Sequence, residues 1–321
     1  MEMLLVLFWF AVGIVFIVKG GDFFVDAASW MARVSGIPQL IIGATVVSLA
    51  TTLPEMLVSV MAAVQGKVDM SIGNAVGSVT ANIGLIMAIS IICMPQIIKK
   101  TEYLFKTLCM FAAMAVIIIG GFLGAISMPL SIVLLVFFGA FMYENVSSAV
   151  KTMKLSGDAE EEKLKPSGKE IAVNIVKFAV GTAGIVIGAD LLVDNGSILA
   201  RMVGISERVI GVTVIAIGTS LPELVTTLTA IIKKQPSLSV GNIIGANVLD
   251  LTLIMPIAAV ISGKALPVAQ SSAMIDLPAS LLVGLIAMVP ALLMGKFKRW
   301  QGYLLLGVYL VYVAITCFVM A

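Results

Sequence analysis

Shifted by 168 residues, the chain matches itself without a gap from Gly20 to Asp250. Gly36-Ile37 recurs as Gly204-Ile205, and Ile42-Gly43-Ala44-Thr45-Val46 as Ile210-Gly211-Val212-Thr213-Val214. Thr51-Thr52-Leu53-Pro54-Glu55 recurs as Thr219-Ser220-Leu221-Pro222-Glu223, and Gly73-Asn74 as Gly241-Asn242. Ten of the 25 positions from 36 to 60 are identical in the second copy. They include Gly, Thr, Pro and Glu, so shared hydrophobicity does not account for them. A chain of this kind folds as two related halves.

Each half is strongly apolar. The chain has 60% hydrophobic and 12% charged residues, whereas soluble domains carry about 25% charged residues; its mean hydropathy is +1.13. Leu4 to Val18 and Leu304 to Val319 hold no charge at all. A bilayer-spanning helix takes roughly 20 apolar residues. Splitting the apolar runs at charges and Gly/Pro clusters predicts ten spans: 3–21, 38–64, 70–95, 104–123, 128–149, 171–191, 209–232, 238–261, 272–294 and 302–320. The expected fold is an all-α integral membrane protein of ten transmembrane helices. Residues 1–149 form the first five-helix repeat, 150–170 a solvated connector with five Lys among its charges, and 171–321 the second repeat. Five is odd, so the copies lie in opposite orientations, an inverted-repeat architecture that binds substrate at mid-membrane on interrupted helices.

Lys and Arg fix the expected orientation. Fourteen fall in connections on one side: Arg33; Lys99, Lys100 and Lys106; Lys151, Lys154, Lys163, Lys165 and Lys169; Lys233 and Lys234; Lys296, Lys298 and Arg299. Four fall on the other, Lys67, Arg201, Arg208 and Lys264. The positive-inside rule then places both termini outside the cell membrane and the connector in the cytoplasm. Met1-Glu2-Met3-Leu4 lacks a positive n-region, so the first apolar run is expected to be a retained span.

Several function classes fall away. With no His, imidazole metal sites, His-based triads and haem ligation are excluded. Cys93, Cys109 and Cys317 are scattered through apolar sequence without a CxxC spacing. No enzyme chemistry and no cofactor are expected. A net charge of +2 without a basic domain argues against nucleic acid. The expected surroundings are membrane lipid, and the expected state is a monomer.

Within the second span, Thr45, Ser48, Thr52, Glu55 and Ser59 recur every three or four residues, on one helical face. Thr213, Ser220, Glu223 and Thr227 repeat that face in the seventh span, with Ala216 where Ser48 stands. Pro54 and Pro222 each precede the Glu and leave the carbonyls of Ala50 and Gly218 without their helical donor. A second stripe runs Asn74, Ser78, Asn82 in the third span and Asn242, Ala246, Asp250 in the eighth. Asn74 and Asn242 read as packing or capping groups. Gly73 with Gly77, and Gly241 with Gly245, read as small-xxx-small pairs for close helix approach. Every candidate ligand is an oxygen, which suits hard cations, Ca²⁺ and Na⁺ above all.

The two segments Gly43-Ala-Thr-Val-Val-Ser-Leu-Ala-Thr-Thr-Leu-Pro-Glu55 and Gly211-Val-Thr-Val-Ile-Ala-Ile-Gly-Thr-Ser-Leu-Pro-Glu223 resemble the alpha-repeats of the sodium/calcium exchangers, in the calcium/cation antiporter superfamily. Gly73-Asn74 to Asn82 and Gly241-Asn242 to Asp250 resemble the second motif of each repeat, and the likeness covers the whole chain. It implies Ca²⁺/Na⁺ antiport by alternating access, with Glu55 and Glu223 binding both ions. By the same likeness Thr51, Thr52, Thr219, Ser220 and Ser78 add side-chain oxygens, Ser48 and Ala216 add carbonyls, and Asn82 and Asp250 occupy the middle of the site. It further implies that spans one and six slide as a gate, where Asp22, Asp26, Asp190 and Asp194 otherwise read as interfacial anchors. Ala50 stands for the family's usual Gly, Ser48 for a common Ala and Ala246 for a common Ser. Gly77 and Gly245 stand where proton/calcium exchangers usually carry an acid.

Charge counting supplies a mechanism. Two carboxylates neutralise one Ca²⁺ or two Na⁺. With Asp250 protonated in a low-dielectric site, a third Na⁺ makes exchange electrogenic. Proton/calcium antiport is the alternative reading, and the ligand set by itself also permits a passive cation channel. An intramembrane aspartyl protease is disfavoured, because Gly20-Gly21-Asp22 and Gly188-Ala189-Asp190 lack the Gly-x-Gly-Asp pattern.

Overall fold

The computed structural model describes residues 2–64, 68–157, 166–202, 218 and 220–319. They are almost entirely helical: α1 (Glu2–Ser35), α2 (Gln39–Ile42), α3 (Ser48–Val64), α4 (Val68–Ala81), α5 (Ala88–Cys93), α6 (Lys100–Phe122) and α7 (Met128–Gly157) come first. Then follow α8 (Gly168–Met202), α9 (Leu221–Ile232), α10 (Pro236–Leu249), α11 (Met255–Ser262), α12 (Leu277–Met294) and α13 (Arg299–Val319). Among the described residues eight helical segments are long and apolar enough to cross a membrane. α9 is a shorter apolar helix inside the predicted span 209–232, of which residues 209–217 and 219 lie outside the described residues. α13, 21 residues long, covers most of the predicted tenth span.

Three helices overrun their predicted spans, α7 by running from 149 to Gly157. α1 continues from the expected end at residue 21 to Ser35, and α8 from 191 to Met202. Asp22, Asp26, Asp190 and Asp194 end an apolar run but do not end a helix. α1 stops where the backbone requires it: Gly36 takes φ +68°, the left-handed conformation of a helix terminus, with Pro38 two residues on. At 1.5 Å per residue α1 is about 51 Å long, well beyond a hydrocarbon core of about 30 Å. The expected connector is helical at both described ends, since α7 runs to Gly157 and α8 starts at Gly168.

The chain divides into two compact units that cut across the sequence halves: 1–51 with 145–242, and 52–144 with 243–321. In the first, α1 packs along α8, and α9 packs on both. Gly13 lies against Gly188, and Gly20 against Gly181 and Gly184, so α1 and α8 run antiparallel. Gly13 and Gly181, like Gly20 and Gly188, are 168 residues apart, so each helix brings the same two glycines to the crossing. A Cβ at Gly20 would sit 2.7 Å from the backbone nitrogen of Ile185, which fixes the approach as backbone against backbone. Phe24, Val25, Ala28, Ala32, Ile42, Val47 and Ala50 pack with Ile185, Ala230 and Leu238, and Phe24 stacks on Phe178 at 4.7 Å.

The second unit is organised around α4, which packs against α11 and α12 and against the turn Asp250–Ile254. α13 packs on α5 and α12, with Gly84 closely facing the Tyr309 ring. Lys106, counted with the connection charges although it falls at the start of the predicted span 104–123, lies inside α6; its side chain is 1% exposed and its ammonium donates to Glu144 at 2.6 Å. The departures from an all-helical fold among the described residues are a two-residue antiparallel pair, Ala125 with Pro267 and Ile126 with Leu266, and an isolated bridge between Ile97 and Lys296.

Contacts between distant segments fit the order of the predicted spans. Lys233 pairs with Asp26 at 2.8 Å and Asp22 at 3.3 Å, and Gln39 bonds Gln235. Ile97 bridges Lys296, and Ala125–Ile126 pairs with Leu266–Pro267. Each contact joins segments assigned to the same side of the membrane.

Candidate functional site

α3 is built inside out. Leu49, Leu53 and Leu57, one turn apart, face outward, whereas Ser48, Thr51, Thr52, Glu55 and Ser59 are all buried. Leu57 is 58% exposed and Glu55 0%. In water that pattern would be unstable; in lipid the leucines meet acyl chains and the polar face is sheltered. The helix runs unbroken through Pro54, so the expected interruption is not at that proline. The departure from α geometry comes earlier, in a π-helical turn over Gly43–Val47. Pro54 still has no N–H to offer the carbonyl of Ala50.

The polar face divides its work. Thr45 donates to the carbonyl of Ile41 at 2.7 Å and is spent within its own helix. Thr51 donates at 3.3 Å to the Ser48 carbonyl and at 3.2 Å to Oδ1 of Asn242, tying α3 to α10 in the first unit. The same two segments approach closely just before: a Cβ at Gly43 would lie 2.5 Å from the Leu238 carbonyl oxygen, and Gly241 is pressed against Leu40. In the second unit, Asn74 Nδ2 donates to the Glu55 carbonyl at 3.3 Å and to Ser59 Oγ at 3.0 Å. Asn74 and Asn242 are therefore the packing groups expected of them. Gly73 and Gly77 are not: a Cβ at either would meet nothing within 4 Å, so they leave open space and bring no backbone close.

The second stripe is deeply buried. Ser78 is 3% exposed, and Asn82 and Asp250 are 0%. Asn82 and Asp250 occupy the same place in the two copies, and each opens a π-helical turn, Asn82–Met87 and Asp250–Ile254. Turns of that kind are rare and collect at functional sites. Within the second unit α4, which carries Ser78, packs on the turn that starts at Asp250. Glu223 is 0% exposed in the first turn of α9, and Ser220, which precedes that helix, is 2% exposed. Ala216 and Thr219 lie outside the described residues. Among the described residues no three acidic, Cys or His side chains form one metal-holding cluster. A cation held on this face takes hydroxyl, amide and carbonyl oxygens beside carboxylate.

Several buried polar groups escaped the repeat comparison. Asn247 is 1% exposed, and neither its Nδ2 nor its Oδ1 has a hydrogen-bond partner among the described residues. The hydroxyl of Thr226, three residues after Glu223, is likewise unbonded, as is that of Thr227, which copies Ser59 on the repeated polar face. Each such group costs roughly 1–3 kcal/mol when nothing satisfies it. Asp276, buried in the π-helical turn Ser272–Asp276, accepts a 2.9 Å bond from the Tyr312 hydroxyl. Its signal in the sequence was an acid inside a predicted span; its counterpart in the first copy is Leu108, so the repeat did not mark it.

The family model of the sodium/calcium exchanger protein matches residues 5–146 and 173–318. The chain is 33% identical to the uncharacterized membrane protein MJ0091 of Methanocaldococcus jannaschii, covering 95% of this chain and 96% of that one. It is 29% identical to the sodium/calcium exchanger MaX1 of Methanosarcina acetivorans, covering 96% and 97%. Among solved structures, the sodium-calcium exchanger NCX_Mj soaked with Na⁺ and Sr²⁺ superposes with a TM-score of 0.80 at 31% identity, covering 97% of this chain and 99% of that one. The family and the relatives named as sodium/calcium exchangers are transporters, not enzymes, and the ions they exchange are cargo rather than cofactors. The duplicated Pro-Glu motif, the buried oxygen-lined face of α3 and the match along both halves converge: the chain belongs to the sodium/calcium exchanger family.

Proposed function

We propose that this protein is a secondary antiporter of the cell membrane that exchanges Ca²⁺ for Na⁺ by alternating access. Glu55 and Glu223 share one site with the side chains of Thr51, Thr52, Ser78, Asn82, Thr219, Ser220 and Asp250 and the carbonyls of Ser48 and Ala216. The observation that carries the reading is the complete burial of both glutamates of the duplicated motif, each on a membrane helix whose neighbouring ligands are oxygens. An ionisable residue inside a span is retained for function as a rule. Hard oxygen donors select Na⁺ and Ca²⁺ over softer metals. The relatives named for sodium/calcium exchange support the same pair of ions.

Antiport follows from competition. One Ca²⁺ or two Na⁺ satisfies the two carboxylates, and the full Na⁺ set and Ca²⁺ exclude each other. A third Na⁺ makes the Na⁺-loaded form net positive, so the cycle moves charge. The empty, doubly charged site crosses poorly because of its desolvation cost. The antiparallel pairing of α1 with α8 through matching glycines supports inverted repeats, and the Lys and Arg distribution supports external termini and a cytoplasmic connector.

The test is ⁴⁵Ca²⁺ uptake into proteoliposomes loaded with Na⁺, K⁺ or choline, with and without a pH gradient. Uptake is expected only from Na⁺-loaded vesicles. Uptake driven by the pH gradient alone would assign proton/calcium exchange, and equal uptake in all three would assign a channel.

A further inference from the structure

We infer that Asn247 supplies a cation-binding oxygen in the second half of the chain, standing in for a hydroxyl that its copy of the motif lacks. The inference rests on the exchange reading above. The first copy reads Gly77-Ser78-Val79 before Asn82; the second reads Gly245-Ala246-Asn247 before Asp250. The polar group has moved by one residue. Ser78 stands four residues before the π-helical turn of its copy and Asn247 three before the corresponding turn. Spacings of three and four both bring a side chain onto the helical face of the turn's first residue. Where one copy is polar the other is apolar, and all four side chains are buried: Ser78 with Ala246, Val79 with Asn247.

The state of the amide separates this role from a structural one. Asn74 donates to the Glu55 carbonyl and Ser59, and Asn195 donates to the Leu191 carbonyl, as packing amides do. Asn247 is buried as deeply, yet neither polar atom is bonded among the described residues. The Ser78 hydroxyl is in the same condition. An amide oxygen is a hard, neutral ligand. It adds coordination without altering the balance between two carboxylates and the bound cations.

The experiment restores the first copy's arrangement in the second. Full-length protein carrying Asn247→Val, and the same protein with Ala246→Ser added, are compared with wild type. ⁴⁵Ca²⁺ exchange in Na⁺-loaded vesicles gives half-saturation for each ion, and thermal unfolding is followed in ion-free buffer and with Na⁺ or Ca²⁺ added. Asn247→Val is expected to raise the half-saturating concentration of at least one ion about ten-fold. It should keep its ion-free unfolding temperature and lose most of the rise on adding that ion. Adding Ala246→Ser is expected to recover half-saturation to within about three-fold of wild type. Wild-type half-saturation in Asn247→Val, no recovery with Ala246→Ser, or failure of Asn247→Val to fold would each overturn the inference. Glu55→Gln is run in parallel. If it too exchanges normally, the exchange reading falls; if it alone is inactive, only the role of Asn247 does.

Discussion

Glu55 follows a proline on a helix whose outward row is Leu49, Leu53 and Leu57. On the proposed reading, a bound cation offsets the desolvation of its carboxylate. Glu55→Gln and Glu223→Gln are therefore each expected to lower Na⁺-dependent ⁴⁵Ca²⁺ uptake at least about a hundred-fold while leaving the purified protein folded. Asn74 acts differently, by holding the Glu55 carbonyl and Ser59 from the neighbouring helix. Asn74→Leu removes two hydrogen bonds of about 1 kcal/mol each, so a lower unfolding temperature and a reduced transport rate are expected together. The burial of Glu55, Ser78, Asn82 and Asp250 was legible in the sequence because a polar residue in an apolar span has few places to go. Asn247 and Asp276 were not, because Val79 and Leu108 occupy their places in the first copy. Comparing the copies selects what they share and hides what only one of them needs.

Helices α1 and α8 were legible as spans, but their lengths were not. A carboxylate ends an apolar run, whereas a helix ends at a backbone signal such as Gly36 with its positive φ. Lys106 misled in a related way: its charge reads with the connection before the span, and the structure buries it in α6 against Glu144. Removing one partner of a buried pair costs about 3–5 kcal/mol, while replacing both with apolar residues of similar size is close to neutral. Lys106→Met is accordingly expected to unfold at markedly lower temperature, and adding Glu144→Leu to restore most of the loss. Glycines divide by what surrounds them. Gly20→Val drives a side chain into the backbone of α8 and is expected to abolish stable expression or transport. Gly73→Ala and Gly77→Ala, with open space around them, are expected to fold normally by size-exclusion profile and unfolding temperature.

The whole molecule answers to its duplication. Asn82 and Asp250 open matching π-helical turns, and α1 and α8 cross through matching glycines, although sequence identity between the copies is confined to short motifs. The orientation drawn from Lys and Arg makes its own prediction: a single cysteine at position 160, in a background without Cys93, Cys109 and Cys317, should react with a membrane-impermeant maleimide only from the cytoplasmic side. The central claim is that Ca²⁺ and Na⁺ take turns at one site built on Glu55 and Glu223. Equilibrium binding of ⁴⁵Ca²⁺ to the purified protein, titrated with Na⁺, tests it most directly. Na⁺ should displace the bound Ca²⁺ completely, and Glu55→Gln and Glu223→Gln should each bind none. Saturable Ca²⁺ binding that persists in excess Na⁺, or that survives both substitutions, would contradict the account.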